Sequence, residues 1–159
     1  MTDNTSELYI FKVRMLEFID ELIEQFPHEP SFIMIRIFVC DKIPTQTVLG
    51  RFMKECLPYK EYVFKKDANF FLYSDFMYEK YSSNVGEERI SNFRNLWESN
   101  KLDQDDKEAV WKWLALFIKL AQSYYDKFGC VEGWEFSLDS EIDNIKIEVD
   151  KFNKSNLLK

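Results

Sequence analysis

Residues 103 to 128, DQDDKEAVWKWLALFIKLAQSYYDKF, decide the fold. Val110, Trp113, Leu114, Phe117, Leu120, Ala121, Tyr124 and Phe128 recur at three- and four-residue steps, the spacing that puts side chains on one side of an α-helix. Trp111, Ile118 and Tyr125 form a second row at seven-residue steps. Glu108, Lys112, Lys119, Gln122 and Asp126 leave only a narrow wet stripe. A helix this apolar belongs at the centre of a helical bundle, because other segments must cover it. Asp103 or Asp105 is placed to cap its start, where carboxylates meet the positive end of the helix dipole, and Gly129 is placed to end it.

The flanking segments also read as helices. Thr5 or Ser6 can cap a first helix that runs to Phe26 and stops at Pro27. Its apolar stripe is Leu8, Phe11, Met15, Phe18, Leu22 and Phe26, while Glu17, Asp20, Glu21 and Glu24 make an acidic outer face. SFIMIRIFVCDKI, from Ser31, has strand-like β-branched content but no second strand to pair with, so it reads as a buried helix. Pro44 opens a helix with Val48, Leu49, Phe52, Met53 and Cys56 on one face. Residues 58 to 81 have no clean period and read as short helices, followed by a loop over Ser82 to Gly86. Ile90, Phe93, Leu96 and Trp97 mark another short helix. The last helix runs from about Asp139 to Asn156, with Ile142, Ile145, Val149 and Phe152 at a/d spacing. The expected fold is therefore all-α: one domain over residues 1–159, a bundle of about six to eight helices around the long hydrophobic one.

Composition narrows the function classes. At 159 residues and 46% hydrophobic content the chain can bury a core without disulfides, and four glycines and four prolines are too few to punctuate a β-sandwich or barrel. The net charge of -7 disfavours phosphate backbones and anionic lipids. That charge is uneven: residues 1–30 carry two basic against seven acidic groups, 31–84 eight against six, and 85–159 eleven against fifteen. No run reaches the ~20 apolar residues of a membrane span, and Cys40, Cys56 and Cys130 are odd in number and far apart, as expected in a reducing compartment. The start of the chain does not have the pattern of a signal peptide.

Catalytic chemistry has few carriers. His28, the single histidine, lies in the FPHEP turn, away from any partner suited to general-base or metal work. The cysteines show no zinc-ligand spacing; Cys40 and Cys56 lie on apolar faces, and Cys130, after a glycine, is the thiol to test for reactivity. DSEIDNIKIEVD, from Asp139, has acidic residues at loop positions one, three and five of a calcium-binding EF-hand, but Asn144 replaces the required glycine and Lys146 an apolar site. The expectation is a non-enzyme without cofactor or metal.

The Phe26-Pro27 stop, the Phe52 to Leu57-Pro58 step, Lys66-Asp67 followed by Phe70-Phe71, Trp97, and Trp111 with Trp113-Leu114 leading to Tyr124 together resemble a group of small all-helical proteins of large nucleocytoplasmic DNA viruses, the marseillevirus branch among them. The resemblance implies a non-enzymatic component of the infected cell's cytoplasm or of the virion. A weaker resemblance is to virus-encoded bundles of the Bcl-2 type, although the Asn-Trp-Gly-Arg signature of their central helix is missing.

The leading expectation is a self-associating interaction or virion-associated protein, a homodimer joined by Phe11, Met15, Phe18 and Leu22 of the first helix and Ile142, Ile145, Val149 and Phe152 of the last. The alternative is a module that recognises a host protein helix or nucleic acid through a basic, aromatic segment with Arg51, Lys54, Lys60, Lys65 and Lys66.

Overall fold

The computed structural model describes residues 4–157; of the side chains at 84, 85, 89, 90, 156 and 157, Ile90 of the expected short helix included, nothing is described. Among the described residues the chain is all-α, with no strand. The helices are α1 (Thr5–Gln25), α2 (Pro30–Ile37), α3 (Thr45–Cys56), α4 (Lys60–Phe64), α5 (Ala68–Tyr73), α6 (Asp75–Val85), α7 (Glu87–Glu98), α8 (Gln104–Phe128) and α9 (Leu138–Leu157). A π-helical turn, Phe38–Lys42, continues α2, and a 3-10 turn, Leu57–Tyr59, follows α3.

Contacts divide the chain into two compact units. The first comprises Met1–Pro58 and Ala115–Leu138, the second Tyr59–Leu114 and Asp139–Lys159. The expected central helix α8 therefore contributes its N-terminal half to one core and its C-terminal half to the other.

Local chemistry explains the ends of α8. The Asp103 carboxylate accepts the Asp106 N–H at 2.8 Å while the Asp106 carboxylate accepts the Asp103 N–H at 3.1 Å, so two amides of the first turn are satisfied reciprocally. Asp103 rather than Asp105 is the cap. At the other end Gly129 takes φ +77° and its N–H reaches the Tyr125 carbonyl at 2.8 Å, a conformation that costs a residue with a Cβ.

In the first unit, an aromatic cluster joins α1, α3 and α8. Phe11 is 1% exposed, and its ring lies 5.6 Å from Phe52 and 6.0 Å from Phe117; Phe18 lies 5.6 Å from Phe117. Leu49 and Met53 of α3 are buried with them. Gly50, also buried, leaves room for the indole of Trp134 against the α3 backbone. The expected hydroxyl cap of α1 is not formed: Thr5 is already helical, and Asn4, at the cap position, donates its side-chain amide to the Tyr124 hydroxyl at 2.8 Å.

The second unit is built on Tyr59, Phe70, Phe76 and Ile145, with Tyr62, Phe71, Met77, Val149 and Phe152 packed against them. Trp111 of α8 meets Trp97 edge-on at 5.7 Å and Phe71 at 6.3 Å. Residues 58 to 81 are short helices, as their irregular period predicts. Asp67 caps α5 by accepting the Phe70 N–H, and Ser74 caps α6 by accepting the Met77 N–H. The expected loop over Ser82 to Gly86 is instead the last turn of α6, which ends only where Gly86 takes φ +93°.

Candidate functional site

The segment expected to be buried is the most exposed apolar stretch in the first unit. SFIMIRIFVCDKI is helical, but of α2 only Phe32 is buried, against Phe26 with ring centroids 6.1 Å apart. Ile33, Met34, Ile35, Ile37, Phe38 and Ile43 are between 37 and 53% exposed. A helix apolar on most sides needs neighbours on most sides, and beyond its own π-helical continuation α2 packs mainly on α1. Ile33 with Ile37, and Met34 with Phe38, stand one turn apart and make two parallel rows on the open side.

Two polar contacts tie the segment to α1. Arg36 Nε donates to Asp20 Oδ1 of α1 at 2.5 Å, and this carboxylate raises the guanidinium pKa further above its ordinary value. Lys12 of α1 donates to the Cys40 carbonyl at 3.3 Å, at the π-helical turn. Such turns are frequent at functional sites, because the extra residue redirects the side chains that follow. Between residues 28 and 43 two basic residues, Arg36 and Lys42, balance two acidic ones, Glu29 and Asp41, so the segment is neutral within a chain of net charge -7.

Of the residues expected to join two copies, those of the first helix lie in the first unit and those of the last helix in the second. Phe11 and Phe18 are committed to the cluster around Phe117, Met15 closes a small recess with Val39 and Val48, and Leu22 is half-buried. Ile145 is buried in the second unit, where Val149 and Phe152 pack on its core and Ile142 is half-buried. These seams are largely used inside one chain.

The basic segment is divided between the units. Arg51 and Lys54 are exposed on α3 in the first; Lys60, half-buried, and Lys65 and Lys66, exposed, belong to the second. Lys66 pairs with Glu108 at 2.5 Å, and that hydrogen bond and charge hold the Glu108 carboxyl below its ordinary pKa. Of the interleaved aromatics, Tyr59 is buried, Tyr62 stacks on Phe70 at 3.8 Å, and Phe64 is exposed.

Cys56 is half-buried, and desolvation pushes its thiol up to about 12, so it stays protonated at neutral pH. Cys130 is half-buried, its sulfur donating to the Phe136 carbonyl and accepting the Phe136 N–H. His28 lies in an exposed turn. Asp139 to Asp150, the EF-hand-like stretch, lies within α9, a continuous helix that cannot wrap a calcium ion. No cluster of three His, Cys, Asp or Glu residues suited to a metal occurs among the described residues, and no described helix is long and apolar enough to cross a membrane.

The second unit also holds an open cleft of about 490 Å³ where α5 and the start of α6 face the C-terminal half of α9. Rings of Tyr62, Phe70, Phe76 and Phe152 line it, together with Asp67 and Asp75. Neither the α2 face nor this cleft was legible in the sequence, because each is made by what the neighbouring helices leave uncovered.

Comparisons of this chain with protein-family models, with curated proteins and with solved structures give no match.

Proposed function

We propose that the protein is a non-catalytic interaction protein that pairs with a second copy of itself through the α2 face, residues 33–43. The observation that carries this reading is the exposure of six large apolar side chains on one short segment. At roughly 45% exposure they leave about 500 Å² open per copy, more than scattered surface hydrophobics present. Burying the two rows, Ile33 with Ile37 and Met34 with Phe38, on both copies covers about 700 Å², the apolar centre of an interface whose polar rim completes it. The partner is a second copy because the segment is locally neutral. Two acidic chains repel one another elsewhere, whereas here the Asp41 and Lys42 of one copy can meet the Lys42 and Asp41 of the other across a two-fold axis. The virion-associated setting belongs to the same proposal and rests on the sequence resemblance.

Sedimentation of the purified protein tests it. The wild-type chain is expected to sediment as a dimer, and Ile33→Asp combined with Phe38→Asp as a folded monomer, since both side chains are already half open to water. A wild-type monomer, or a dimer that survives both substitutions, overturns the reading.

A second reading keeps the basic segment as a partner surface, favoured by Phe64 exposed directly beside Lys65 at the end of α4. Lys65→Glu should then abolish capture of an acidic partner without changing the native mass.

A further inference from the structure

We propose that Met34 is a modification site: a peroxide converts its thioether to the sulfoxide, and the added oxygen separates the two copies that pair through α2. The loss of pairing rests on self-association through that face; the choice of Met34 as the sulfur attacked does not.

Exposure singles out this sulfur. The chain has five methionines, of which Met1 lies outside the described residues. Met53 is 0% exposed, Met15 is half-buried in the recess with Val39 and Val48, and Met77 packs on the core of the second unit. Among the described methionines Met34 alone is exposed, at 53%. A thioether has no proton to lose, so access to the peroxide sets its rate. Thiols instead attack as thiolates, which are scarce at mildly acidic pH, and Cys40, Cys56 and Cys130 are all half-buried. Acidic conditions therefore direct the oxidant to Met34.

The step needs only the peroxide. A lone pair of the sulfur attacks one peroxide oxygen, the S–O bond forms as the O–O bond breaks, and the departing hydroxide takes the proton left on the transferred oxygen and leaves as water. Sulfur is oxidised by two electrons and the peroxide is reduced by two.

The position of Met34 gives the oxygen its effect. The Phe38 N–H is bonded to the Met34 carbonyl, so the two side chains stand one turn apart, beside the parallel row of Ile33 and Ile37. A sulfoxide oxygen is a hydrogen-bond acceptor, and rows of isoleucine and phenylalanine side chains offer it no donor. A two-fold contact uses the same patch twice, so each pair would bury two such oxygens. Unpaired polar groups of this kind weaken pairing by about tenfold per copy, or about a hundredfold for the pair. Pairing in turn covers the sulfur, so oxidation takes hold in unpaired chains and then keeps them apart.

The test treats the full chain with hydrogen peroxide at about pH 5, where thiolates are scarce, and then with dithiothreitol, which returns sulfenic acids and disulfides to thiols and leaves sulfoxides in place. Peptide mass mapping reads which methionine has gained an oxygen, and sedimentation at neutral pH reads the assembly. Met34 should be oxidised about tenfold faster than Met15, Met53 or Met77, and the concentration at which the dimer separates should rise about a hundredfold, with the far-ultraviolet circular dichroism unchanged. Met34→Leu keeps the apolar surface without the sulfur and should stay dimeric after the same treatment. Met34→Gln, a polar chain of similar length, should separate without any peroxide. Oxidation of Met15 or Met77 as fast as Met34 overturns the site, and a fully oxidised Met34 in a chain that pairs as tightly as before overturns the switch. An untreated chain that is already monomeric overturns self-association and the switch together, while the oxidation map still decides the site.

Discussion

Gly50→Ala would test the closest approach in the first unit. A Cβ at Gly50 would stand 2.5 Å from Trp134 Cδ1, 2.7 Å from Cγ and 3.1 Å from Cβ. Carbon atoms in ordinary contact are about 3.5–4.0 Å apart, so the methyl group overlaps the indole by about 1 Å. The overlap involves the root of the side chain and the near edge of the ring, so a small rotation of the ring tip does not relieve it. Overpacking of this kind costs about 1–3 kcal/mol. Alanine in place of glycine inside a helix returns about 1 kcal/mol. The net expectation is a destabilisation of about 1 kcal/mol, or about 2–4 °C in Tm for a chain of this size.

The decisive comparison is the same substitution beside Trp134→Ala. With the indole gone only the helix preference remains, so Gly50→Ala should then stabilise the protein by about 1 kcal/mol. The sign reverses, and the coupling between the two positions is about 2 kcal/mol. Urea unfolding followed by far-ultraviolet circular dichroism measures all four variants without relying on the tryptophan that is removed. Gly50→Ala stabilising both backgrounds equally would refute the argument, because the helix would then have had space for a side chain all along.

Other outcomes follow from local chemistry. Asp103→Ala removes one half of the reciprocal cap of α8 and should cost about 1 kcal/mol in urea unfolding, with Asp105→Ala costing less, since Asp103 is the cap. Lys66→Met should raise the Glu108 carboxyl pKa toward its ordinary value, as read by carboxyl carbon resonances. Because that pKa is depressed in the folded chain, the stabilisation from the pair is present above the ordinary carboxylate range and is lost as pH falls through the folded value. An unchanged Glu108 titration would mean that the pair does not form in solution. Cys56, half-buried and raised to about 12 by desolvation, should be alkylated far more slowly at mildly alkaline pH in the native chain than in urea; equal rates in the two would show that the fold does not protect the thiol.

Much of the architecture was legible because helix signals are local. The period and caps of α8, the Pro27 stop, Pro44 before α3 and the aromatic short helices after Pro58 all act over a few residues, and each lies where its pattern predicts. Legibility failed where two local readings competed. Ser82 to Gly86 has loop-like composition, yet α6 continues to the glycine, which alone breaks it. Thr5 looked like a cap but is the first helical residue, because Asn4 occupies the cap position and is bound to Tyr124, distant in sequence.

The site residues show the same division. Phe11 and Phe18 were recognisable as an apolar seam, but whether a seam faces its own chain or another depends on what lies opposite. Here Phe117 and Phe52 lie opposite, and the seam is used internally. The sequence by itself determined that the chain is helical, which residues form the apolar faces and how α8 begins and ends, since backbone hydrogen bonding and side-chain period are set by near neighbours. Only the tertiary structure decided which apolar faces remain open. The packing of distant segments buries Phe11 and leaves Ile33, Met34 and Phe38 in water, and the hydrophobic effect acts on area removed from solvent, which no residue fixes without its partners.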